Sequence, residues 1–188
     1  MTQYYHGTNV PGISVLRAQS GLHGADKKVV YLTDSVPYAL FYIWDAAKHG
    51  CRDKHVTGWV KDGIAYYEEQ FPDQLKAFYQ GACGYLYTVR SSTACAVKGR
   101  PNLFYSEADT PVSAAMQIPD VYAALLDYEA KGELVVLRYA ELSKARQAEL
   151  IDLIASDIRQ ARFYADDPAK RDFMQRHFKC AWQKAVQL

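Results

Sequence analysis

The segment Val29-Val30-Tyr31-Leu32-Thr33, followed by Asp34-Ser35 and Pro37, limits the possible folds of this chain more than any other stretch. β-branched and aromatic residues suit a pleated, half-buried surface, so residues 29–33 read as a strand. Asp34 or Ser35 supplies an oxygen that caps free backbone N–H groups, and Pro37 is pre-set for a first helical turn. The sequence therefore predicts a strand running directly into a helix. That helix continues through Tyr38, Phe41, Tyr42 and Ala46 until Gly50 ends it. Such a junction needs a sheet with a helix laid on it, and 188 residues suffice for one core of that kind.

The rest of the chain divides less sharply. Tyr4 to His6 reads as a short strand. Pro11 to Ala18 reads as one or two helical turns, and Gln19 to Lys28 as a loop. Val56 to Val60 reads as a strand, and Ile64 to Tyr79 has helical apolar spacing interrupted by Pro72. Strands are expected at Gly84 to Arg90, Ala94 to Lys98, Val112 to Ile118 and Glu133 to Tyr139. Pro119 to Lys131 has a proline at its start and Gly132 at its stop, the signature of a helix. Ser143 to Phe163 and Pro168 to Gln187 read as two long amphipathic helices. Strands follow one another as neighbours instead of alternating strictly with helices, which favours α+β over a doubly wound parallel sheet. Two units are expected: residues 1–142, and a helical extension, 143–188, packed on them.

Composition removes several function classes. With 49% hydrophobic and 23% charged residues and a net charge of +1, the chain has no basic stripe of the kind nucleic acid favours. The densest basic stretch, Lys170 to Lys184, is interleaved with Phe173, Met174, Phe178 and Trp182 and reads as a solvated helix face. The four cysteines, Cys51, Cys83, Cys95 and Cys180, show no metal or thioredoxin spacing and read as reduced thiols. His23, His49 and His55 lack metal-like spacing, so no metal is expected. The start of the chain has no basic, apolar leader and no run is long enough to span a membrane, so a cytoplasmic, membrane-free protein is expected.

Two segments carry candidate chemistry. In Tyr5-His6-Gly7-Thr8 a histidine at a strand end can present a ring nitrogen to a ligand. Gly7 removes a Cβ and allows close approach to the backbone, and Thr8 adds a hydroxyl. In the second segment Tyr31 lies on a strand and Tyr42 on the helix that follows. One ring on each element can make two walls of a slot that takes a flat heteroaromatic ring by stacking.

Together these segments resemble the His-Tyr-Glu branch of the ADP-ribosyltransferase superfamily, which includes diphtheria-type toxins and poly(ADP-ribose) polymerases. Tyr5-His6-Gly7-Thr8 is similar to the branch's first element. Val30-Tyr31-Leu32-Thr33-Asp34-Ser35, with Ala39 and Tyr42, is similar to its second. Ile13-Ser14-Val15-Leu16 and Gly21-Leu22 resemble the short helix and loop between them. The resemblance implies a split two-sheet α+β core with NAD as substrate. His6 would bond the adenine-side ribose, the Gly7 backbone would hold the carboxamide, and Tyr31 and Tyr42 would sandwich the nicotinamide. It also implies a glutamate near the start of a later strand, stabilising an oxocarbenium-like transition state.

Glu107, after Leu103-Phe104-Tyr105-Ser106, is the expected acid. Asp109 is the near alternative, and Glu68 and Glu69 are a second. The function that follows is single transfer of ADP-ribose to an acceptor, protein more than nucleic acid, with release of nicotinamide. Three alternatives stand beside it: NAD glycohydrolysis, transfer of an RNA 2′-phosphate using Arg17, Arg90 or Arg100, and a catalytically inactive binding module. A carboxylate in the slot between His6 and Tyr31 discriminates the enzymes from the binder.

Overall fold

The computed structural model describes residues 1–22 and 26–187. His23, with the rest of the expected loop at 24–25, lies outside the described residues. The described strands are β1 (Thr2–Thr8), β2 (Val15–Leu16), β3 (Ser20–Gly21), β4 (Lys28–Thr33), β5 (Gly58–Lys61), β6 (Ile64–Glu68), β7 (Gly84–Ser91), β8 (Cys95–Ala96), β9 (Leu103–Ser106), β10 (Thr110–Ile118) and β11 (Leu134–Leu137). The helices are α1 (Val36–Leu40), α2 (Ala46–His49), α3 (Gln74–Tyr79), α4 (Val121–Ala130), α5 (Lys144–Gln160), α6 (Pro168–His177) and α7 (Lys179–Val186).

The architecture is α+β, with an antiparallel main sheet. Its order is β2-β10-β7-β1-β4-β9-β8, with β3 pairing β4, and a smaller sheet runs β11-β6-β5. β11 joins β6 in parallel. β7 is covered on both faces: Leu86 joins one core cluster and Val89, three residues on and so on the opposite face, joins the other. One large core cluster takes in Phe41, Trp44, Tyr67, Phe78 and Tyr79 together with Ile154, Ile158, Phe173, Phe178 and Ala181, so α5, α6 and α7 share it with the smaller sheet's strands and α3. A second cluster, Tyr4, Leu16, Val30, Leu32 and Val89, fills the other face of the main sheet. Among the described residues no helix is long and apolar enough to cross a membrane.

Helix ends follow the polar residues at their boundaries. Ser35 Oγ accepts from Tyr38 N, and Asp120, Ser143 and Asp167 cap α4, α5 and α6 in the same way. Gly50 ends α2 in the left-handed conformation (φ 62°).

Four expected elements differ. Pro11 to Ala18 is not helical: Gly12 turns at φ 71° and Val15-Leu16 pairs with Thr110-Pro111 on the main sheet. Residues 64–79 hold a strand and a helix, not one helix. Ala65 and Tyr67 alternate inward on β6, and Pro72 with Asp73 (φ 57°) turns the chain into α3. The helix expected to run to Gly50 is two short ones, because Phe41, Ile43 and Trp44 all bury and no single helical stripe accommodates them. The last helix breaks at Phe178 (φ −112°, ψ 47°), whose ring enters the aromatic core against His55, Phe71 and Phe173.

Candidate functional site

The site begins where two strands part. β1 pairs β7 at seven register positions but pairs β4 at one, Tyr5 opposite Thr33. Beyond it no further ladder pair joins β1 to β4 among the described residues. In place of a ladder bond, His6 Nδ1–H donates to the Tyr31 carbonyl at 2.9 Å. The resulting slot is lined by Tyr5, His6, Gly7, Tyr31, Leu32, Thr33, Ala39, Tyr42 and Leu103.

The bond to Tyr31 fixes the chemistry of His6. A carbonyl can only accept, so the proton sits on Nδ1 and Nε2 keeps a lone pair. Burial lowers the His6 pKa below its ordinary 6.5, partly offset by the Tyr31 carbonyl, and the ring is held neutral. A neutral ring with a free Nε2 acceptor can take a hydrogen bond from a ligand hydroxyl.

Gly7 has a packing role that the sequence does not reveal. A Cβ there would run into the backbone carbonyl of Ala39 and lie 3.3 Å from Ile43. The missing side chain admits α1, while the Gly7 backbone lines the slot. Thr8 is buried, accepts from Val10 N at 3.3 Å and does not line the slot. Tyr31 donates to Gly21 O at 3.1 Å. The Tyr42 hydroxyl meets that of Tyr38 at 3.1 Å, and burial raises the Tyr42 pKa.

The slot encloses about 40 Å³, room for little beyond water. It shares Tyr31, Tyr42 and Leu103 with an adjoining cavity of about 540 Å³, within the usual size of ligand pockets. Leu22, Ala96, Val97, Lys98, Arg100 and Tyr105 complete that cavity. Tyr31, Tyr42 and Leu103 thus form the wall between the narrow slot and the wider cavity. Another hollow of about 560 Å³, lined by Cys51, Arg52, Asp53 and Asp167 among others, gathers no aromatic wall.

The expected acids stand elsewhere. β9 faces β4 in the register Thr33↔Leu103 and Tyr31↔Tyr105, so the start of β9 reaches the slot. That position is Leu103, 7% exposed. Glu107 lies past the other end of β9, about 13 Å along the strand from Leu103, where it pairs with Lys27 at 2.7 Å in solvent. Asp109 binds Arg17 at 2.6 Å and Ala18 N at 2.8 Å, contacts that lower its pKa. Glu68 holds Arg146 through both oxygens, at 2.9 and 2.8 Å. Glu69 is buried and accepts from Leu75 N and Tyr139 N at 3.1 and 3.0 Å. Both follow from β6, the strand found where a helix was expected. None of the four lines the slot or its cavity, and no carboxylate does among the described residues.

Of the cations at the mouth the sequence singled out Arg100, as a residue for phosphate transfer, but neither Lys54 nor Lys98. Lys54 Nζ lies 5.6 Å from the centroid of the Tyr42 ring. Burial around the amine lowers its pKa, although the residue as a whole is exposed. Lys98 and Arg100 line the cavity. Among the described residues none of these three has a carboxylate partner. The hairpin of β8 and β9 delivers Lys98 and Arg100, and Asn102 anchors it: its Nδ2 donates to Asp34 at 2.8 Å and its carbonyl accepts from Thr33 at 2.7 Å.

Among the described residues no group of three or more His, Cys, Asp or Glu side chains is placed to hold a metal. His49 and His55 lie in the aromatic core, His49 stacked on Trp44 and His55 against Phe178. No family model, curated protein or solved structure matches the chain.

Proposed function

We propose that this protein binds an NAD-type dinucleotide in the split between β1 and β4, as a binding module of ADP-ribosyltransferase-like fold, and does not transfer ADP-ribose. One observation carries the reading. His6, Gly7, Tyr31 and Tyr42 line one slot, and Leu103 fills the β9 position from which a carboxylate would reach it. The two-sheet α+β frame and the neutral, singly donating His6 agree with it.

Transfer or hydrolysis breaks the bond between nicotinamide and ribose. The charge that develops on the ribose needs a fixed negative group beside it. Leucine offers neither charge nor a hydrogen bond. Without that acid the dinucleotide is held intact, and the reading needs no acceptor.

The test is incubation with NAD labelled in the adenylate half, in cell lysate, following labelled macromolecules and free nicotinamide. The expected result is neither transfer nor release above the level of a His6→Ala, Tyr31→Ala control. Transfer or release that is lost in that control returns the protein to the transferases and glycohydrolases.

A further inference from the structure

The charge that lines the slot and its cavity has one sign, and the carboxylate nearest along the chain, Asp34 beside Thr33, accepts from Asn102 Nδ2 at 2.8 Å. Lys54 sits over the Tyr42 ring, Lys98 and Arg100 line the adjoining cavity, and no described lining residue is acidic. Leu103 removes the position from which β9 would present an anion to a ring held between Tyr31 and Tyr42. The aromatic attraction for cations is also engaged already, because the Tyr42 π-system faces Lys54.

Oxidised and reduced nicotinamide differ in this respect. The oxidised ring is a pyridinium and carries a positive charge; the dihydro ring is neutral. Both carry the same anionic phosphates. A pyridinium between Tyr31 and Tyr42 meets like charge at the mouth and no counter-charge within. A neutral ring meets neither penalty, and its phosphates meet Lys98 and Arg100.

We infer that the site selects nucleotides by ring charge: it takes an uncharged ring bearing an anionic phosphate tail and discriminates against the pyridinium form. The inference rests on the reading of the slot as a nucleotide site. It makes this protein a binder of the reduced dinucleotide, or of a nucleotide with another neutral ring, in preference to the oxidised one.

The experiment compares oxidised and reduced nicotinamide mononucleotide, which have one ring each and differ in its charge, by equilibrium titration at two salt concentrations. The reduced form is expected to bind about tenfold more tightly, a difference of about 1.4 kcal/mol. Both affinities should fall as salt rises, because the phosphate contacts are ionic. In Lys54→Met the preference shrinks towards unity. Leu103→Glu reverses it, and circular dichroism checks that each variant is folded. Equal or tighter binding of the oxidised form overturns the inference and leaves the nucleotide site standing. Binding of neither form, nor of either dinucleotide, at millimolar concentration removes the nucleotide site and the inference with it.

Discussion

The two sides of the slot are built from neighbouring strands and equipped differently. On the β1–β4 side an imidazole, a glycine backbone and two tyrosine rings converge, each held by a defined contact: His6 to the Tyr31 carbonyl, Gly7 against Ala39, Tyr42 to Tyr38. On the β9 side the same space meets Leu103, with cations outside it. The first side needs parted strands and a helix laid close, so it is a property of the fold. The second depends on one side chain. In the proposed binder, recognition of a ring and chemistry on its bond would separate at Leu103.

The largest effect is expected on the β1 side. Gly7→Ala forces a methyl group into the Ala39 carbonyl, and α1 must lift off β1. The expected cost is roughly 3 kcal/mol, seen as a melting temperature lower by roughly 6–12 °C. A change within 1 °C would mean that α1 does not pack as described. On the β9 side Leu103→Glu supplies the missing carboxylate. Nicotinamide release from NAD is expected to rise on the order of 10²-fold over the unmodified chain, measured by chromatography. An inert but folded Leu103→Glu chain would show that the difference between the two sides does not reside in this residue.

Smaller effects sharpen the contrast. Tyr42→Ala removes one wall of the slot and should weaken dinucleotide binding about tenfold in a titration, since a stacked aromatic pair contributes about 0.5–1.5 kcal/mol beyond its buried area. The pH dependence follows from His6. Its folded pKa lies below 6.5 because burial disfavours the cation, so Nε2 is an acceptor at neutral pH. Affinity should therefore be level above about pH 6.5 and fall as pH drops and Nε2 takes a proton. The His6→Ala variant should lack that fall. Glu107→Gln is expected to do least. It severs an exposed pair with Lys27 and should leave both melting temperature and dinucleotide affinity unchanged.

What was legible in the sequence follows the distance over which each feature is determined. Residues 29–33 and the Ser35 cap are local: β-branched residues, a capping hydroxyl and a proline act within a few positions, and the structure has β4 and α1 there. α4, between Pro119 and Gly132, is local in the same way. Residues 64–79 read as one helix because Ile64, Tyr67, Phe71, Leu75 and Phe78 recur at intervals of three and four, although the first two lie on β6 and the last two on α3. β6 is a strand by a local hairpin with β5 across the Asp62-Gly63 turn, a signal the helix-like spacing obscures, and by its parallel pairing of Ala65 with Leu134 far along the chain.

The candidate site divides in the same manner. His6, Gly7, Tyr31 and Tyr42 sit within two short segments, and the structure brings them to one slot. That β9 brings Leu103 opposite Thr33 is a matter of register between residues 70 positions apart, and no local pattern encodes it. Leu103-Phe104-Tyr105-Ser106 does read as a strand by propensity, and that signal would have put Glu107 past its far end. Lys54 and Arg100 come from loops, where the sequence shows charge but not where it is aimed.

The proposed function is that of a module holding a dinucleotide intact between His6 and the tyrosine walls. The most direct measurement is a calorimetric titration with NAD, oxidised and reduced, on the unmodified chain and on Tyr42→Ala, with chromatography of the nucleotide recovered from the cell. Saturable binding that is weakened in Tyr42→Ala, with the nucleotide recovered unchanged, is the expected result. Flat heats at millimolar concentrations of both forms, or binding indifferent to Tyr42, would contradict it.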